Sequence, residues 1–252
     1  MSRYSEGAVK PDPALKIFMA EIQYIIQWVS TRNPFELNPG RYMKSESMWN
    51  WLANNYDSPG VSLGETDLII IEHANKYITS DSIVLDYGCA TGSIAIELAG
   101  TVKNVYGIDF SAKMIEIAES KVMKSNLANI LFMKATIFDD QLREESFDLI
   151  LGLSILHLVK DPTLVVQRIN QLLKPGGIFI SATPCLGKNT FRNTLIRVPL
   201  FMFSKLGILP HINFFSVTDL VASIKNEKFD IIENESLSDN PVTDAFIVAR
   251  KN

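Results

Sequence analysis

Two acids and a glycine-containing turn make the first case for chemistry in this chain. In VLDYGCATGSIAIELA, residues 84–99, an apolar run ends at Asp86, passes through Gly88, Cys89, Ala90 and Gly92, and enters a helical pattern near Ser93. Gly88 and Gly92 lack side chains where the backbone must turn sharply and approach a bound molecule, and a helix opening there offers unpaired N–H groups to a carboxylate. A second apolar run ends at Asp109, 23 residues beyond Asp86. It sets a carboxylate at the tip of the neighbouring strand, where it can take both hydroxyls of a ribose. The register Gly88-x-Ala90-x-Gly92 is not the Gly-x-Gly-x-x-Gly of nicotinamide cofactors. Asp86 would repel a pyrophosphate and attract an ammonium such as that of a methionine moiety. Loop and charge together favour an amino-acid-bearing nucleoside over a dinucleotide. Taken alone, such a loop also fits a tight turn in an α/β domain that binds nothing.

These acids need a sheet to hold them. From about Asp67 onward, short apolar runs alternate with helical patterns in the rhythm of βαβ units. The runs are IVLDY (83–87), VYGID (105–109), ILFMKA (130–135), FDLILGL (147–153) and GIFISAT (177–183), with a helix expected in every gap. Ser111 is placed to cap a helix through Lys121, and Asp161-Pro162 pairs an N-cap with proline at the first helical position. Gly100 and Gly176-Gly177 are expected to close helices in the left-handed conformation. Past residue 190 comes an insert, after which Ser216-Val-Thr-Asp219 starts one more helix. FDIIENE (229–235) and DAFIVARK (244–251), separated by SLSDNPVT, suit an antiparallel pair. The fold class expected is α/β: a doubly wound, mostly parallel seven-strand sheet with an antiparallel last strand, an N-terminal helical cap, and an apolar helical insert before the last two strands.

Composition narrows the partners. The 252 residues are 47% hydrophobic and 21% charged, ordinary for a globular chain, and the formal charge of -4 offers no basic surface for a polyanion. No nucleic-acid partner is expected. Cys89 and Cys185 show no metal or disulfide spacing, so no metal is expected and both thiols read as reduced. The first residues lack the pattern of a secretory signal, and Ala14–Val29 is an amphipathic stretch short of the ~20 apolar residues that span a bilayer, so a cytoplasmic location is expected. Residues 31–60, with Trp49, Trp51 and Tyr56, read as an ordered cap. The insert is too apolar for a solvated loop. It could roof a ligand pocket, line a dimer interface or touch membrane lipid, in that order, so the chain is expected to be a monomer or homodimer with room for peripheral membrane contact.

The stretches LDYGCATG, GIDFSAKMIEIA (107–118), SFDLILGLSILHLVKDP (146–162) and LLKPGGIFIS (172–181) resemble the class I, seven-strand, Rossmann-like S-adenosylmethionine-dependent methyltransferases. The likeness covers most of residues 80–183 and is closest to the small-molecule type that includes the ubiquinone and menaquinone methyltransferases. It implies S-adenosylmethionine as cofactor and a small, largely apolar methyl acceptor. Residues 1–60 would then be a cap or lid, and 61–252 the cofactor-binding domain with the insert, 186–215, contributing to the acceptor site. By the same likeness Asp86, Gly88, Cys89, Ala90 and Gly92 form the loop at the methionine and ribose end, Asp109 holds the ribose diol, and Phe110 stacks on adenine. Thr136, followed by Ile137, stands where the family usually has an acid for the adenine amine, and a hydroxyl contributes about 1 kcal/mol less there. Leu153 and Ser154 are expected near the methyl-bearing sulfur.

Methyl transfer asks the protein chiefly to position the acceptor and to remove its proton. His157, just past the fourth strand, is the candidate base, with a histidine bonded to backbone at a strand–helix junction as the alternative. Relatives that methylate phosphoethanolamine have a similar ILHL stretch and pair its histidine with an N-terminal tyrosine, for which Tyr42 and Tyr56 are the candidates. His73 and His211 read as structural. Two other readings stay open at this point: a non-catalytic S-adenosylmethionine-binding regulator on the same fold, and a nicotinamide-dependent oxidoreductase.

Overall fold

Seven runs of β-forming residues, each bounded by a capped helix or a turn, pair into one sheet. The computed structural model describes residues 45–57, 63–187, 191–205, 211–238 and 243–252. Helix α1 (Ser45–Leu52) and a short 3-10 turn (Ala53–Asn55) precede α2 (Glu65–Asn75). The alternating core comes next: β1 (Ile83–Tyr87), α3 (Ser93–Ala99), β2 (Asn104–Asp109), α4 (Ala112–Val122), β3 (Ile130–Lys134), β4 (Phe147–Leu153), α5 (Pro162–Leu172) and β5 (Leu173–Cys185). Helices α6 (Phe191–Lys205) and α7 (Val217–Asn226) lead to β6 (Phe229–Ser238) and β7 (Thr243–Lys251). The strand order is β3-β2-β1-β4-β5-β7-β6, and β7 runs antiparallel to both of its neighbours. The doubly wound sheet with an antiparallel last strand is therefore present.

Both faces of the sheet are covered, which is why its strands read as continuous apolar runs rather than alternating ones. On one face Leu85, Ile150 and Phe179 pack with Val165 and Ile169 of α5 and Leu220 and Ile224 of α7. On the other, Val84, Leu149, Ile180 and Val248 meet Ile70 of α2, Leu98 of α3, and Ile115 and Ala118 of α4. The expected N-caps hold. The Ser111 hydroxyl accepts from Met114 N–H, Asp161 accepts from Leu164 N–H, and Ser216 forms a capping box with Asp219.

The structure corrects two expectations. No helix fills the gap between β3 and β4, where residues 135–146 are turns that send Ile137 and Leu142 into the core. Gly100 ends α3 in the right-handed conformation (φ -69°), because its N–H closes a tighter turn onto the Glu97 carbonyl at 3.2 Å. The left-handed residue is Gly176 (φ 75°), and it serves an irregularity within β5 instead of a helix end. The Ala14–Val29 helix lies outside the described residues. Among the described residues no helix is long and apolar enough to cross a membrane.

Candidate active site

The carboxyl ends of β1, β2 and β4 open together on a cleft of about 800 Å³ that is continuous with solvent. In a parallel α/β sheet this edge, beside the point where strand order reverses, is where ligands sit. Parallel pairing puts Asp86 of β1 level with Gly107 of β2 and Leu151 of β4, so the two acids end adjacent strands a short step apart.

The loop after β1 is fixed by glycine geometry. Gly88 has φ 76° and lines the cleft. Gly92 has φ 79°, and a Cβ there would lie 2.3 Å from the Phe132 ring, so this position is needed for packing α3 against the sheet and does not itself line the cleft. Ala90 and Ser154, two non-glycine residues on the cleft wall, both adopt left-handed backbone (φ 47° and 49°). Each such residue costs roughly 1–2 kcal/mol, a strain that clusters at functional sites.

Asp109 ends β2 with its carboxylate already engaged. Oδ1 accepts from Ser111 N–H at 2.8 Å and Oδ2 from Ala90 N–H at 3.2 Å, so one side chain pins the glycine loop to the start of α4. Burial raises its pKa, opposed by these amide hydrogen bonds. Asp86 is buried (3% exposed), and burial together with the charge of Asp109 pushes its carboxyl up to about 7. A cationic ligand group arriving between the two acids would relieve that repulsion, whereas a phosphate would add to it. Cys89 is buried beneath the loop, with its thiol pushed up by burial and by the same two acids, and it stands away from the cleft wall.

Phe110, Thr136, Leu153 and Ser154 all line the cleft, while Ile137 is fully buried in the core and faces away from it. Ile155, Leu158 and Val159 continue the wall beyond Ser154 and make that end apolar. His157 belongs to this loop but is 8% exposed and does not itself line the cleft, and its Nδ1 has no hydrogen-bond partner among the described residues. Burial lowers its pKa to about 4, so the ring is neutral near pH 7. The His157 and Val159 carbonyls accept from Asn213, at 2.7 Å from its backbone N–H and 2.6 Å from its side-chain amide. Tyr56, an exposed residue (45%), lines the cleft, whereas Tyr42 lies outside the described residues. His73 bonds Glu233 at 2.6 Å and stacks edge-on against Phe246, consistent with a structural role.

A set of residues that sequence patterns did not single out ties the 45–57 segment to the edge of this cleft. Trp49 and Tyr56, within the 45–57 segment, both face the cleft. Between them Asn50 Oδ1 accepts from the Ser111 hydroxyl (2.6 Å) and from Lys113 N–H (3.1 Å), so a residue of α1 helps cap α4. Asp57 accepts from the Thr91 hydroxyl at 2.8 Å and pairs with Lys121 at 2.9 Å. Lys121 donates as well to the hydroxyls of Thr91 and Ser93, each at 3.0 Å, so one ammonium joins the 45–57 segment, the glycine loop and the first turn of α3. Lys121 is 28 residues from Ser93 and 30 from Thr91 in the chain, and only tertiary contact reveals the link.

A family model described as a methyltransferase domain matches residues 78–205. The ubiquinone biosynthesis O-methyltransferase of Paracidovorax citrulli is 26% identical over 168 residues, spanning 64% of this chain and 68% of that protein. The crystal structure of an S-adenosylmethionine-dependent methyltransferase from Methanosarcina mazei superimposes with a TM-score of 0.57 over 71% of this chain and 96% of that one, at 22% identity. The [4+2]-cyclase SpnF gives 0.66 over 82% and 96%, at 15% identity. At such identities the two structures speak for the fold alone, and the second shows that this fold also hosts a cyclase.

Proposed function

The chain belongs to the methyltransferase-domain family and is an S-adenosylmethionine-dependent methyltransferase, and from that premise we propose that its acceptor is a small, largely apolar molecule methylated on a hydroxyl. The observation that carries this reading is the division of the cleft. At one end are two acids, Asp109 on the wall and Asp86 buried behind it, and at the other is the aliphatic wall of Leu153, Ile155, Leu158 and Val159. Ligand pockets with few polar groups set orientation through those groups and gain affinity through apolar contact. The hydroxyl is suggested by the O-methyltransferase relatives.

The residues present fit the cofactor. Asp86 would meet its ammonium, Asp109 its ribose diol, and Phe110 and Thr136 its adenine, with the Gly88–Ala90 backbone close enough to follow its outline. When bound, S-adenosylmethionine supplies an activated methyl group together with its leaving group. Leu153 and the strained Ser154, at the end of β4, hold the wall beside which the acceptor lies, and Ile155 and Leu158 exclude water from it. We assign His157, a neutral imidazole at physiological pH buried behind this wall, as the group that would take the hydroxyl proton, and Tyr56, on the wall itself, as a hydrogen-bonding partner of the same acceptor. Asn213, at the returning end of the insert, holds the His157–Val159 backbone, which supports a contribution of residues 186–215 to the acceptor site.

The test is release of S-adenosylhomocysteine from a panel of phenols and alcohols of increasing apolar length, with a ribosomal protein and transfer RNA as controls. Turnover should rise with apolar area on the small hydroxyl compounds. Methylation confined to the protein or the RNA would overturn the reading. A base contributes typically about 10²–10⁴-fold, so His157→Gln should lose at least a hundredfold in turnover while binding cofactor as before. Because burial has moved the imidazole down, any ascending limb of the pH–rate profile belongs near 4, not near the 6.5 of a free histidine.

A further inference from the structure

The insert between β5 and α7 leaves and returns at one point. Gly187 N–H donates to the Phe215 carbonyl at 2.6 Å, closing the excursion at its neck, and Asn213 then ties the returning arm to the loop that lines the cleft. Helix α6 lies within this excursion. Its Leu200 is buried, but Val198, Phe201 and Met202 remain 55, 48 and 52% exposed. With Lys205 they occupy positions i, i+3, i+4 and i+7, a single helical stripe, and the Lys205 ammonium stands 5.4 Å from the centre of the Phe201 ring. An apolar stripe of this kind on one helix is a surface made to be covered.

Charge selects what covers it. Residues 186–215 contain Lys188, Arg192, Arg197 and Lys205 and no Asp or Glu, while the rest of the chain has 20 Lys and Arg against 28 Asp and Glu. A second copy packed stripe to stripe would bring the two Lys205 ammoniums into a shared apolar seam with no acid from the insert between them. The first 44 residues, with six Lys and Arg against four Asp and Glu, carry the same net sign as the insert. A bilayer containing anionic phospholipid offers both an apolar boundary for the phenylalanine and methionine and a negative surface for Lys205 and the net positive insert that carries it.

We propose that α6 is a docking surface for an anionic lipid bilayer, which brings the neck of the insert, and with it the loop beside the cleft, to the membrane face. The assignment does not depend on which acceptor is methylated. It is tested by sedimenting the full chain with vesicles of phosphatidylcholine alone and of phosphatidylcholine mixed with phosphatidylglycerol. Binding is expected on the mixed vesicles, weakened by added salt, and weaker on phosphatidylcholine alone. Phe201→Glu and Met202→Glu should each weaken it about tenfold or more, and Lys205→Glu should do so on the anionic vesicles only. All three should keep the thermal shift given by S-adenosylmethionine, which shows that they are folded. Failure of the native chain to bind anionic vesicles, equal binding by the variants, or a native dimer that Phe201→Glu splits would each overturn the proposal, the last by showing that the stripe covers a second copy. A failed acceptor panel with intact vesicle binding would overturn the acceptor reading and leave this one standing.

Discussion

Replacing Asp109 by asparagine changes one oxygen to an amide and removes a charge at a side chain whose two oxygens are both in use. Each accepts a backbone N–H, from Ser111 at 2.8 Å and from Ala90 at 3.2 Å, so either orientation of the amide sets its NH2 against a backbone donor. One anchor of the glycine loop or of α4 is lost, and a partly buried N–H is left unpaired at about 1–3 kcal/mol. At roughly 2–4 °C per kcal/mol for a chain of this size, the ligand-free variant should melt several degrees lower. The ribose diol loses one of two charge-assisted bonds, each worth roughly 1.5–3 kcal/mol, so cofactor affinity should fall about ten- to hundredfold. Isothermal titration with S-adenosylmethionine and with S-adenosylhomocysteine reads the affinity, and calorimetric melting reads the stability. Unchanged affinity for both ligands in a folded Asp109→Asn protein would refute the ribose assignment. Lost stability with retained affinity would mean that Asp109 only anchors the loop.

Three further outcomes are expected. Buried His157, lowered to about 4, makes the native state gain stability as pH rises from about 4 to 6.5, because the unfolded chain binds the extra proton; Asp86, raised to about 7, does the opposite from 3.8 to about 7, because there the native state holds the proton. The two trends oppose each other in the native chain, so melting temperature should rise across pH 4–6.5 in Asp86→Asn and fall across it in His157→Gln, and parallel curves for both would contradict the burial argument. Gly92→Ala, which combines a left-handed backbone with a Cβ 2.3 Å from the Phe132 ring, should lose roughly 2–5 kcal/mol by denaturant unfolding, and a loss under about 1 kcal/mol would show that Phe132 yields freely. Lys121→Met should raise the KM for cofactor several-fold with little change in kcat, with Lys121→Arg restoring part of it, and a pure fall in kcat would argue against the link between the 45–57 segment and the loop.

Local chemistry was legible in the chain wherever it acts over a few residues. The apolar runs of β1, β2 and β4 formed nearly as bounded, since burial on both faces of a parallel sheet demands unbroken hydrophobicity, and Ser111, Asp161 and Ser216 capped their helices because an N-cap needs only its own next turn. The spacing of Asp86 and Asp109 likewise foretold two acids on adjacent strands, because a βαβ unit has a nearly fixed length. Tertiary structure decided the rest. The 135–146 segment had helical gap length but is held as turns by the core packing of Ile137 and Leu142, and that same burial turns Ile137 away from the cleft. Gly92 is in the loop that sequence marks for ligand approach, yet its missing side chain makes room for Phe132, a strand away. Asn50, Asp57 and Lys121 have nothing in their sequence surroundings to announce them, since Asn50 and Asp57 meet partners 61 and 34 residues off, and Lys121 meets Asp57 only through the tertiary fold. The His157 pKa is a property of the fold for the same reason: an imidazole's basicity depends on the water around it, and only packing removes that water.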